Sequence, residues 1–179
     1  MKKQLFMFML CLLSMQAFSQ ENSSSALTAG SKSFADRIMG SMEAGFGTKS
    51  DGMSVWNFDL QAGYRFVPRV YVFAKLEAMV GLRDNGGAKT YANSCNLGGG
   101  LGWRIFDQEG FGIDLKGSVS SSVGNAEWKN TAYDARFVIR MGTSRKLTPM
   151  LSLGYRYADS RTPGISNYSG FVGGFGFCF

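Results

Sequence analysis

The strictest constraint on this chain is a two-residue alternation at its end. Residues 169–179 read S-G-F-V-G-G-F-G-F-C-F. Phe171, Phe175, Phe177 and Phe179 share one parity, and Gly170, Gly174 and Gly176 occupy the other. In a strand, successive side chains point to opposite faces. One face of this strand is therefore aromatic and the other nearly bare. A last strand that turns a whole aromatic face to an apolar surrounding suits a sheet closed on itself in lipid, where an open edge leaves backbone groups unpaired.

The same period runs upstream. Strands are expected over about 36–46, 55–66, 70–82, 93–106, 111–123, 132–143 and 149–158, before the closing segment. The second has the clearest pattern, with Trp56, Phe58, Leu60, Ala62, Tyr64 and Phe66 alternating with Asn57, Asp59, Gln61, Gly63 and Arg65. The breaks are Gly47–Ser54, Val67–Arg69, Arg83–Ala92, Asp107–Gly110, Gly124–Thr131, Ser144–Thr148 and Asp159–Tyr168. They run long, short, long, short, long, short, long. That rhythm predicts an all-β, eight-stranded antiparallel up-and-down transmembrane β-barrel, with longer loops at one rim and tight turns at the other.

Residues 1–19 read as a cleaved signal peptide. Lys2 and Lys3 precede an apolar run from Leu5 to Met15, and Ala17-Phe18-Ser19 offers small residues for cleavage before Gln20. The run is too short to cross ~30 Å of hydrocarbon as a helix. Residues 20–35 are small, polar and aperiodic, and read as a flexible leader. Residues 36–179 are the barrel domain. Without Lys2 and Lys3, the 19 Lys+Arg become 17 against 13 Asp+Glu. This basic excess is scattered, with no stripe or motif of a nucleic-acid binder.

The polar parity carries Arg37, Glu43, Asp59, Arg65, Lys75, Glu77, Arg104, Asp114, Lys116, Asp134, Arg136, Arg140 and Arg156. On a lipid face each Arg or Lys costs about 2–4 kcal/mol at the midplane, so a membrane barrel turns this set into its lumen. The apolar parity holds two belts of large aromatics. Tyr64, Phe66, Trp103, Phe111, Phe177 and Phe179 fall toward the short turns. Phe46, Trp56, Tyr133, Tyr157 and Phe171 fall toward the longer loops. Such girdles mark membrane interfaces. A soluble, lipocalin-like periplasmic barrel, with the apolar face turned in around a ligand, is the alternative that fits the same period.

The signal, the eight alternating strands and the terminal aromatic strand resemble the small outer-membrane β-barrel proteins of the OmpX/OmpA and opacity-protein type, over roughly Asp36 to Phe179. The resemblance implies location in the cell outer membrane, loops facing outside and turns facing the periplasm. It also implies outer-membrane lipid as surrounding and insertion by the barrel-assembly machinery, which reads the last strand, here Phe171, Phe175, Phe177 and Phe179.

An eight-stranded barrel is just wide enough to be filled by side chains. The charged set is expected to pack as a paired plug, with Arg104 facing Asp114 and Asp59 near Lys75 and Glu77. A narrow, anion-leaning pore is the functional alternative. Gly98–Gly102 reads G-G-G-L-G but lacks the strand–turn–helix setting of a phosphate loop. No CxxC and no metal-spaced cluster points to a cofactor or metal. Cys95 and Cys178 fall at opposite ends and on opposite faces, so both are expected as free thiols. The chain has no histidine, the residue best suited to proton transfer near neutral pH, which leads to the expectation of a protein that is not an enzyme. Trp128 with Lys129, and Tyr91 with Lys89, are expected to be exposed on the loops, where they could contact extracellular glycan or protein. The expected role is structural or interactive: membrane integrity, adhesion or shielding.

Overall fold

The computed structural model describes residues 37–85, 88–108, 110–142 and 147–179. The expected signal peptide and leader lie outside the described residues. The rest forms eight strands: β1 (Ile38–Gly47), β2 (Met53–Val67), β3 (Val70–Asn85), β4 (Ala88–Gln108), β5 (Phe111–Ser122), β6 (Asn130–Met141), β7 (Thr148–Ser160) and β8 (Tyr168–Cys178). Each pairs antiparallel with the next, and β1 pairs with β8, so the sheet is a closed barrel in simple chain order. Closure removes both sheet edges. The seam runs from Ser41 opposite Cys178 to Gly47 opposite Val172, and Phe179 continues it by exchanging backbone hydrogen bonds with Gly40.

Two expected connections are corrected. The span Arg83–Ala92 is not a loop: β3 and β4 continue through it as one long hairpin, paired as far as Asn85 opposite Ala88. Its Leu82 and Tyr91 stand opposite each other and keep the strand alternation. The connection after β6 is longer than expected, because β6 stops at Met141 and β7 starts at Thr148.

The outward face is apolar. Phe46, Trp56, Leu97, Leu101, Phe137, Leu153 and Phe171 are each more than half exposed. Aromatic rings meet across neighbouring strands on the loop side, Phe46 with Trp56, Tyr133 with Tyr157, and Tyr155 with Phe171 at 5.6 Å between centroids. Phe106 and Phe111 meet edge-on at 6.0 Å on the turn side. The inward face is charged, with Glu43, Asp59, Lys75, Glu77, Asp114, Asp134, Arg136 and Arg156 all buried. The soluble alternative needs the reverse arrangement and is contradicted by it.

Glycines on the inner face of β4 make this filling possible. A Cβ at Gly102 would lie 2.0 Å from the Tyr71 ring, and one at Gly100 would lie 2.7 Å from that of Phe73. These are the cross-strand partners Tyr71 opposite Gly102 and Phe73 opposite Gly100. The G-G-G-L-G run thus leaves room for two large inward rings, a packing role that fits glycine where a neighbour approaches closely.

Candidate functional site

The lumen is stacked in layers. The central layer joins seven charged side chains from five strands. Lys75 Nζ lies 2.8 Å from Asp134 Oδ2, 3.4 Å from Glu77 and 3.6 Å from Asp59. Arg136 Nη1 reaches Glu43 at 2.5 Å and Asp59 at 3.4 Å, and its Nη2 reaches Asp134 at 3.3 Å. Arg156 donates from Nε to Asp134 at 2.7 Å and from Nη2 to Glu77. Hydroxyls complete the set: Ser152 donates to Glu43 at 2.6 Å and Ser120 to Glu77 at 3.3 Å. Buried charges persist only when paired in this way. Asp59 is fully buried and neither of its oxygens accepts a hydrogen bond; its nearest cationic neighbours are Arg136 at 3.4 Å and Lys75 at 3.6 Å.

A second layer lies toward the short turns. Arg104 contacts Asp107 at 3.0 Å and Asp114 at 3.6 Å. Arg140 spans the same two carboxylates at 3.0 and 3.1 Å, and Tyr71 donates its hydroxyl to Asp114 at 3.1 Å. Arg104 faces Asp114 in the ladder, and Asp59 faces Glu77.

Asp107 has no place in the sequence-based lumen set, yet it completes this layer. The β4–β5 register shifts between Arg104 and Phe106. The bulge turns both Ile105 and Phe106 outward, where both are exposed, and sets Asp107 opposite inward Gly112. A bulge adds one residue and so reverses parity beyond it. Two adjacent apolar residues, Ile105-Phe106, were the available signal. The β2–β3 ladder shifts in the same way between Arg65 and Val67, at Phe66.

Three of the thirteen charged candidates stand apart from these networks. Arg37 precedes β1, is only partly buried, and has no ion pair among the described residues. Arg65 is half-buried at the turn mouth with its Nε buried and unpaired. Lys116 donates to Gln61 at 3.0 Å and sits 5.6 Å over the Phe73 ring, with no carboxylate within 4.0 Å among the described residues.

The loop-side mouth is capped by apolar side chains. Met53, Val55, Met79, Trp128, Ala132, Ala158, Tyr168 and Val172 form one buried cluster. The expectation of an exposed Trp128 is corrected: it is fully buried. Its backbone N–H donates to Asn93 O at 3.0 Å and its indole N–H to Ser160 at 3.2 Å, which folds the 123–129 connection back over the mouth. Beneath the cap, Asn96, Ser94 and Asn130 bond to one another. Tyr91 is 69% exposed, and the side chain of Lys89 lies outside the described residues.

The closing strand presents Phe171, Phe175 and Phe179 outward and exposed, with Phe177 partly covered by Phe175 at 5.3 Å. Cys95 faces outward and Cys178 inward, and both thiols are free.

No protein-family profile and no curated protein sequence matches the chain. Among solved structures, it is similar to the crystal structure of the outer membrane enzyme PagL, at 9% identity and a TM-score of 0.44, over 77% of this chain and 96% of that one. The expectation that the chain is not an enzyme is corrected by this finding.

Proposed function

We propose that the chain is an integral outer-membrane barrel of the small OmpX/OmpA and opacity-protein type. In this reading it reinforces or shields the membrane and makes contacts at the cell surface. The observation that carries the membrane part is the sorting of the two faces. A continuous apolar exterior bounded by aromatic pairs surrounds a lumen that holds nearly all the buried charge. Water-soluble monomers rarely expose apolar patches beyond a few hundred Å². An outward groove of about 870 Å³, walled by Phe46, Trp56, Phe137, Leu153 and Phe175 over Gly173, offers acyl chains an irregular surface to fill.

In the same reading, residues 1–19 direct export and are cleaved before Gln20, residues 20–35 are a leader, and the barrel-assembly machinery reads Phe171, Phe175, Phe177 and Phe179. The β3–β4 hairpin supports the surface role. It stays paired up to Asn85 and Ala88, while β5 leaves β4 at Asn96. The hairpin therefore overhangs its neighbour and displays Tyr91 toward extracellular glycan or protein. The pore alternative is weaker, because the central ion layer and the Trp128 cap both cross the lumen.

Fractionation of expressing cells tests the reading. The chain is expected in the outer-membrane fraction after an alkaline wash. Recovery in the soluble periplasm refutes it. Binding of whole cells to glycan-coated or matrix-coated surfaces is expected to fall with Tyr91→Ser, and unchanged binding refutes the hairpin's part.

A further inference from the structure

Gly173 is a glycine that packing within the protein does not require. It shares the outward parity of Phe171 and Phe175, in ordinary strand backbone. A Cβ there would meet nothing nearer than 3.7 Å, from the Phe46 ring. Gly100 and Gly102, by contrast, make way for inward rings. A glycine inside a strand weakens it, and often marks close approach by a ligand. With Ala44 on β1, Gly173 floors the outward groove of about 870 Å³, a volume typical of ligand sites. Phe46 and Trp56, 6.3 Å apart between centroids, wall one side, and Phe137 and Leu153 wall the other. No charged side chain lines it.

Four residues along β8 from Gly173 toward the loops stands Ser169, hydrogen-bonded hydroxyl to hydroxyl with Tyr155. Tyr157, opposite Ser169 in the ladder, accepts from Asn167 Nδ2 at 3.1 Å. Tyr155 and Ser169 share one O–H proton between them. Their second proton and that of Tyr157 have no acceptor among the described residues. At strand rise the hydroxyls lie about 13 Å from the floor, close to half of the ~30 Å hydrocarbon layer.

We propose that this strip binds one ester-linked acyl chain of a lipid in the loop-side leaflet. The Ser169, Tyr155 and Tyr157 hydroxyls donate to its ester carbonyl, and the chain passes Phe171 to fill the hollow over Gly173 and Ala44. A carbonyl only accepts, which suits hydroxyls with protons left to give. Packing selects the chain, since surrounding lipid is as apolar as the groove. The inference rests on the outer-membrane reading above.

The test is quenching of tryptophan by bromine on a lipid chain. Trp56 borders the groove, and Trp103 faces outward away from it. Two single-tryptophan forms, Trp103→Phe with Trp128→Phe and Trp56→Phe with Trp128→Phe, are refolded into vesicles of ether-linked phosphatidylcholine. The vesicles are doped with ester-linked phosphatidylcholine brominated at mid-chain. One added hydrogen bond favours the ester about fivefold, so Trp56 is expected to reach half-quenching at about one-fifth of the dopant that Trp103 needs. The difference is expected to vanish with Gly173→Leu, which fills the hollow, and with an ether-linked brominated dopant. If the Trp128→Phe forms do not fold, native mass spectrometry decides: the unchanged barrel is expected to retain one ester lipid that Gly173→Leu loses, and retention by both or by neither overturns the proposal. Equal quenching of the two tryptophans in an inserted barrel marks surrounding lipid only and overturns it, as does an excess that survives Gly173→Leu. A chain that does not insert into vesicles overturns the membrane reading and this site with it.

Discussion

Arg156 offers the sharpest test of the lumen as a sealed ionic plug. It is fully buried, with Asp134 at 2.7 Å from Nε, Glu77 on Nη2 and the Met79 sulfur 3.1 Å from Nη1. The central layer sets Glu43, Asp59, Glu77 and Asp134 against Lys75, Arg136 and Arg156. Arg156→Met keeps most of the volume but leaves four carboxylates facing two cations. Removing one member of a buried ion cluster costs about 3–5 kcal/mol, since the remaining charges stay desolvated. With a denaturant slope of about 2 kcal/mol per molar urea, the unfolding midpoint drops by about 2 M. The assay is a urea titration of the refolded barrel, followed by the folded band on an unboiled gel. Adding Glu77→Gln removes the carboxylate that Arg156 releases. The double variant is expected to recover about 1 kcal/mol or more relative to additivity, as contacting residues do. A loss below about 1 kcal/mol for Arg156→Met, the value of a solvent-exposed pair, refutes the reasoning, because it means that water reaches the layer.

Other outcomes follow from single contacts. Trp128→Ala empties the centre of the loop-side cap and is expected to destabilise the barrel by about 3–5 kcal/mol, read in the same titration. Gly102→Ala places a methyl against the Tyr71 ring, and the overpacking is expected to cost about 1–3 kcal/mol; pairing it with Tyr71→Ala is expected to relieve most of the loss. Leu153→Arg puts a charge on the outward face and is expected to cost about 2–4 kcal/mol in lipid vesicles; a neutral effect there places Leu153 outside the bilayer. Oxidant is expected to leave the gel mobility of the monomer unchanged, because Cys95 and Cys178 face opposite sides of the sheet.

The barrel itself was legible because its signal is repeated. Every strand alternates, and the parity carrying Asp59, Lys75, Glu77 and Arg156 turns inward throughout the central layer. What escaped lies where alternation breaks or where no period exists. Asp107 enters the lumen only through the bulge at Ile105, and parity counting carried past that bulge points it the wrong way. Trp128 sits in a connection, and nothing periodic shows which way a loop folds. Its burial had an indirect signal: Val55, Met79 and Val172 are apolar residues on the lumen parity, each near the loop end of its strand, so that mouth was already an apolar seat. The β3–β4 overhang was hidden by Asn85-Gly86-Gly87, which reads as the middle of a loop although the chain on both sides stays paired. Arg65 and Lys116 shared the parity of the paired charges, and only the side-chain distances separate them from the network.

The central claim is that the apolar face looks outward into lipid. Refolding of residues 20–179 in detergent micelles and, separately, in plain buffer, followed by electrophoresis with and without boiling, tests it most directly. The account predicts a compact band that shifts on boiling, obtained only when detergent is present. A monodisperse, folded β-rich chain in plain buffer contradicts it.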